Sequence, residues 1–173
     1  MMISVINKET TKDKGTLSST IDAKTIVKHF NLPNCSIIKQ GLSIEPLGNS
    51  IVFCSQWFPF VETAKACFPF DSIEDIKLSQ NFVSIKGKMP EEEELHYHLS
   101  MIMLIVVEGT GIMIHEKHGV EIRDIVEVGD IAFIPRNTLH SFEGSPEVKY
   151  SVIEFGPVLD YQKHHYSKET NTN

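Results

Sequence analysis

Apolar residues recur along this chain with two different periods. Over Asp22–Phe30, Ala23, Ile26, Val27 and Phe30 fall at i, i+3, i+4 and i+7, the spacing that lines one face of a helix. Thr20 or Asp22 is placed to cap its start, and Pro33 lies just beyond its end. From Cys35 onward the chain breaks into short β-type runs divided by Gly, Pro, Asn and Asp. The predicted strands are Ser36–Ile38, Ser50–Trp57, Phe82–Ile85, Glu94–His98, Met101–Val107, Ile112–Glu116, Val120–Val126, Ile131–Ile134, His140–Glu143 and Lys149–Phe155. Turn signals at Glu108-Gly109-Thr110-Gly111, Lys117-His118-Gly119 and Gly129-Asp130 punctuate them. Regular spacing of this kind predicts an all-β antiparallel sandwich or barrel with a short N-terminal helix. Residues 58–80 show no clean period and read as a loop with a helical turn, placed over a barrel mouth or against the surface.

Composition narrows the partners more than the fold. The 173 residues are 41% apolar, enough for one buried core, and carry a formal charge of −7. A surplus of acid argues against nonspecific nucleic-acid binding and against an anionic membrane surface. The longest apolar run, Met101–Val107, is strand-sized and far short of a membrane span. Three cysteines (Cys35, Cys54 and Cys67) without a close pair predict free thiols in a reducing compartment. The polar N-terminus has no signal-peptide core, so a cytoplasmic protein is expected.

Two segments carry candidate chemistry. In Leu95-His96-Tyr97-His98, a strand would point His96 and His98 to the same side, a two-imidazole grip for a transition metal. In Gly129–Phe142, a Gly-Asp turn, an apolar strand and a Pro-bearing loop lead to His140, which meets the first pair only if the sheet closes on itself.

These segments resemble the two motifs of the cupin superfamily. The first motif, G-x5-H-x-H-x3-E-x6-G, is matched at His96, His98 and Gly109; the second, G-x5-P-x-G-x2-H-x3-N, at Gly129, Pro135 and His140. The resemblance covers about residues 80–156. It implies a jelly-roll β-barrel; chain length predicts a single domain over 21–160, and polar composition predicts flexible tails at 1–20 and 161–173. The resemblance also implies one divalent metal ion on His96, His98 and His140. Four positions depart from the pattern. Ile102 stands where the family has its glutamate ligand, and Gly144 where it has the final Asn. Asn137 replaces the glycine of the PxG turn, a residue that tolerates a left-handed backbone. Gly87, the nearest candidate for the leading glycine, lies farther from His96 than the pattern asks.

Three neutral imidazoles leave a divalent ion its full charge, so an anionic, chelating small molecule is the expected substrate. Fe(II) is the first choice of metal, with Ni, Co, Mn or Zn as alternatives. The implied activity is an Fe(II) three-His oxygenase or dioxygenase. Its rivals are a non-redox isomerase, dehydratase or cyclase, and a small-molecule-binding or sensor module without catalysis. Glu94, which shares strand parity with the two histidines, and Glu154, on the last strand, are the candidate catalytic carboxylates. Tyr97 is expected to pack outside, and His115, His118, His164 and His165 to be solvated. Phe133, Phe142, Trp57 and Ile102 are expected in the core or the pocket wall, and a homodimer is the expected assembly.

Overall fold

The computed structural model describes residues 3–4, 16–19, 21–43, 58–88 and 94–166. In chain order it contains β1 (Ile3–Ser4), β2 (Thr16–Ser19), α1 (Ala23–Phe30), β3 (Ser36–Ile38), β4 (Leu42–Ser43), α2 (Phe60–Cys67), β5 (Lys77–Lys88), β6 (His96–Tyr97), β7 (Met101–Lys117), β8 (Val120–Glu127), β9 (Ile131–Ile134), β10 (His140–Gly156) and β11 (His165–Tyr166). The predicted strand at 50–57, with Cys54 and Trp57, lies outside the described residues, as do Glu91–Glu93.

Helix α1 forms as its periodicity predicts. The Asp22 carboxylate accepts a hydrogen bond from the Thr25 N–H at 2.8 Å, capping the first turn. Ile26 and Phe30 are buried on one stripe, and Lys28 and His29 sit in the last turn, where the helix dipole favours positive charge. The segment expected as a loop over 58–80 instead contains α2, a 3-10 turn at Ile73–Asp75 and the start of β5. Thr63, Ala64 and Cys67 supply a buried face of only one short helix, too brief a pattern to register as a period in the sequence.

The main sheet is antiparallel and curled, in the order β11-β6-β10-β7-β9-β3, with β5 also paired to β10 and β8 to β7. Its frame is the β7/β10 pair, two strands of 17 residues each that run together along almost their whole length. The sequence predicted each as two shorter strands, because Gly109, Gly111 and Gly144 look like breaks. In the structure they mark the register shifts where the long ribbon bends. Gly109 has φ +77°, and a Cβ there would meet the Glu147 carbonyl oxygen at 2.1 Å.

Seven consecutive buried residues, Met101–Val107, separate two cores. Met101, Met103, Ile105 and Val107 face α1 and α2, packing with Ile26, Phe30, Ala64, Phe68, Phe133 and Phe155. Ile102, Leu104 and Val106 face the concave side with Ile134, Phe142, Tyr150 and Val152. Period-two alternation sorts the strand between the two, so one apolar run serves both faces of the sheet. Each fully buried side chain of this size contributes about 1.5–3 kcal/mol of transfer free energy. Among the described residues, no helix is long and apolar enough to cross a membrane.

The Gly129-Asp130 turn has a structural task. Asp130 is fully buried and accepts from the backbone N–H groups of Gln40 and Glu127, each at 2.8 Å, and from Lys39 Nζ. Its carboxylate thereby ties the turn after β3 to the turn before β9. Asn137 adopts φ +61°, the left-handed conformation its place in the motif requires, and its N–H donates to the His98 carbonyl at 2.7 Å. That bond joins the two motif segments.

Candidate metal centre

His96 and His140 sit directly opposite one another across the β6/β10 ladder, and His98 follows His96 at the end of β6. All three are buried, at 2%, 3% and 2% exposure, and their ligand atoms lie within 4.8 Å of one another. Ring centroids are 4.6 Å apart for His96 and His140, and 5.1 Å for each of the other two pairs. The chain closes on itself as the His140 spacing requires.

Each ring is oriented by backbone carbonyls. His140 Nδ1–H donates to the Thr138 carbonyl at 2.8 Å, and His96 Nδ1–H to that of Glu94 at 3.4 Å. His98 Nδ1–H is shared between the carbonyls of Asp160 and Lys163, both at 3.1 Å. A proton held on Nδ1 leaves the lone pair on Nε2, the tautomer a metal needs. Burial also keeps the rings neutral. It pushes His96 down to about 3, assisted by the neighbouring His164 and His98. Burial likewise holds His140 well below its ordinary value, assisted by His96 and His98. His98 is lowered by burial, against the opposing pull of Asp160. Three converging, neutral, carbonyl-oriented imidazoles fit a divalent transition ion by donor chemistry, proximity and protonation state.

The histidines open onto a cavity of about 270 Å³. Val83, Ile85, Ile102, Leu104, Ile134 and Val152 give it apolar walls, with Phe142 and Tyr150 beside them. Tyr161, Gln162 and His164 supply its further polar edge. Among the described residues no carboxylate, lysine or arginine lines it. Ile102, at the family's glutamate position, is 2% exposed and faces this space.

The two candidate catalytic carboxylates occupy different ground. Glu94 is exposed and is not part of the cavity wall. Glu154 is buried, but its carboxylate accepts from Ser100 Oγ at 2.8 Å, from the N–H groups of Asp160 and Tyr161 at 2.5 and 2.8 Å, and from Ser79 Oγ at 3.3 Å.

Three histidines differ from the sequence expectation. His115 is buried rather than solvated, because β8 brings Asp124 to 2.7 Å from its Nε2. His164 is not in a free tail: its ring stacks on His96 with centroids 3.8 Å apart and planes within 10°. Its neighbour His165 pairs with Tyr97 in the β11/β6 ladder, stacks on that ring at 5.3 Å, and bonds Asp160 at 2.9 Å. Nothing local in Lys163-His164-His165 announces this; a two-residue strand has no period to read. His118 holds the expected exposed hairpin turn, at φ +54°. Phe142 lines the cavity, whereas Phe133 packs in the helix-side core.

No family model matches the chain, and no curated protein sequence matches it. Solved structures that resemble it include Fe(II)-HppE, at 18% identity over 44% of this chain and 41% of that one, with a TM-score of 0.38. Hydroxypropylphosphonic acid epoxidase from S. wedmorenis gives 18% over 44% and 42%, with a TM-score of 0.39. A cupin-2 domain containing protein from Shewanella frigidimarina gives 20% over 48% and 72%, with a TM-score of 0.37. This chain spans less than half the length of the epoxidase chains it matches. The curled antiparallel sheet and the convergence of His96, His98 and His140 are what the two sequence motifs predict.

Proposed function

We propose that this protein is a metal-dependent enzyme acting on a small organic molecule, with one divalent ion held by His96, His98 and His140. Its reaction is that of an Fe(II) oxygenase. The observation that carries this reading is the convergence of three neutral imidazoles, with no carboxylate among the described residues, on a small and mostly apolar cavity. At about 270 Å³ the space falls just below the usual range of ligand cavities, about 300 to 1,000 Å³. The substrate class is therefore a small chelator with an apolar body. The anionic end would lie toward the histidines, where it offsets the ion's uncompensated charge.

Bound there, Fe(II) would supply one-electron redox chemistry toward O2 together with Lewis acidity. The chain's own residues do the rest. Backbone carbonyls fix the three tautomers, the apolar walls exclude bulk water, and Tyr161, Gln162 and His164 offer hydrogen-bonding groups to a polar substituent. The Lewis-acid alternative is less well served. Isomerisation or dehydration calls for a carboxylate beside the substrate to move a proton, and both Glu94 and Glu154 lie off the cavity wall.

The test is metal analysis of anaerobically purified protein, followed by oxygen uptake with a panel of thiols, 1,3-dicarbonyls and hydroxy acids. We expect about one iron per chain, lost in His140→Ala and in the His96→Ala/His98→Ala double variant, and oxygen consumption with at least one panel member. Full metal retention by the double variant would overturn the site. Uptake by none of the panel would shift the reading toward Lewis-acid catalysis.

A further inference from the structure

We propose that the segment 158–166 is a strap that orients His98 and completes the cavity wall, and that Glu154, Ser100 and Asp160 are positioning residues that pin it. The inference rests on the metal reading above. Its basis is an asymmetry among the three histidines. His96 and His140 take their Nδ1 partners from carbonyls two residues earlier in the chain, Glu94 and Thr138, just ahead of their strands. His98 takes both of its partners, the Asp160 and Lys163 carbonyls, from more than sixty positions away. Its orientation therefore depends on whether the strap stays in place.

Two buried carboxylates hold it there. Glu154 receives the N–H groups of Asp160 and Tyr161 at the point where the strap begins to cross the sheet. The Asp160 side chain receives the N–H groups of Leu99 and Ser100, at 2.9 and 3.2 Å, and His165 Nε2 at 2.9 Å. Burial pushes the Asp160 carboxyl up, but the Leu99 N–H, the Ser100 hydroxyl and N–H, and His165 together hold it below its ordinary value. The Ser100 hydroxyl stands between the two carboxylates, 2.8 Å from Glu154 and 3.0 Å from Asp160. Ser100 directly precedes β7 and lies two residues from His98, so this network joins the strap to the loop carrying that ligand. Beyond the anchor, β11 pairs with β6 and places His164 against His96, while Tyr161 and Gln162 face the cavity. Glu154 is thus occupied in holding backbone N–H groups, a role for which its burial and four donors are suited.

Co(II) binding by full-chain variants tests this, measured by calorimetry and by the visible absorbance of the bound ion. Asp160→Ala and Glu154→Leu should weaken Co(II) by about 10- to 100-fold, the usual effect of removing a metal ligand's supporting partner. Glu154→Gln keeps an oxygen for the two N–H groups and should stay within about threefold of wild type. Ile153→Ala, in the helix-side core, should lower stability but leave Co(II) affinity unchanged. Unchanged affinity in a folded Asp160→Ala would overturn the proposal. Should that variant not fold, Ser100→Ala decides it: a several-fold loss supports the strap, and none overturns it. A second readout needs no metal. In chelator-treated protein, long-range 1H–15N NMR of His98 should show the Nδ1–H tautomer in wild type and a mixture in Asp160→Ala. If wild type takes up no Co(II), the metal reading fails, and a tautomer unchanged by the substitution would overturn the strap independently.

Discussion

Acidifying the metal-free protein from pH 7.5 to pH 5.0 should destabilise it through the three clustered histidines. An imidazole whose folded pKa lies below its unfolded value binds fewer protons in the folded state, so stability falls as pH drops below the unfolded value. The unfolded reference is 6.5 and the folded value of His96 is about 3, so the loss begins near pH 6.5 and continues to about pH 3. Within that window each pH unit costs about 1.4 kcal/mol per neutral histidine. His96 alone therefore accounts for a loss of about 2 kcal/mol at pH 5.0. His98 and His140 are lowered for the same reason, burial beside other imidazoles, and add to it. The groups facing the cluster are His164 and, opposing it at His98, Asp160. Against a total stability of about 5–15 kcal/mol this is a large share. Urea titrations in chelator at pH 7.5, 6.0 and 5.0 measure it, with a constant m-value as the check on two-state behaviour. Because the chain's charge of −7 also relaxes on acidification, the comparison is with the His96→Gln/His98→Gln/His140→Gln variant, whose pH profile should be flatter by at least about 2 kcal/mol over this range. Parallel profiles for the two proteins would refute the burial account of the cluster. A saturating metal should lift the wild-type curve by about 2.7 kcal/mol at one hundred times its dissociation constant, and leave the triple variant unmoved.

Three further outcomes follow from single residues. Ile102→Glu places a carboxylate on the cavity wall beside the histidines. Without metal it should lose several kcal/mol to desolvation. With metal it should bind more tightly than wild type while oxygen uptake falls; no gain in affinity would mean that residue 102 does not reach the ion. Asp130→Ala removes the acceptor of the Gln40 and Glu127 N–H groups, while the half-exposed Lys39 keeps the Ile125 carbonyl; it should cost about 1–3 kcal/mol by urea titration without changing the metal stoichiometry. The assembly should be a homodimer, since β5 exposes Leu78 and Phe82 along a strand paired, among the described residues, only to β10; a light-scattering mass near 19.6 kDa at micromolar concentration would refute it.

Local chemistry was enough to read α1, whose stripe and Asp22 cap lie within nine residues, and to read the strand-rich character of the rest. The histidine spacing also carried the site: i and i+2 on one strand, and a third His after a Gly-Asp turn and a Pro-bearing loop, converge once the sheet curls. Even the left-handed Asn137 was legible, because a turn of that shape admits few residue types. Other features depended on long-range contacts. The β7 and β10 strands read as halves because glycines that end a strand and glycines that bend one look alike without a partner. His115 became buried only when β8 laid Asp124 against it. Glu154 could be placed on a strand but not on a face, because register belongs to pairs of strands. The strap was the least legible part. Its residues are polar and its strand is two residues long, so nothing in its own composition forces it to order. Glu154 holds N–H groups only six and seven positions on, but the Leu99 and Ser100 N–H groups that need Asp160, and the ring of His98 that needs the strap's carbonyls, lie some sixty positions from it and meet it only in the folded barrel.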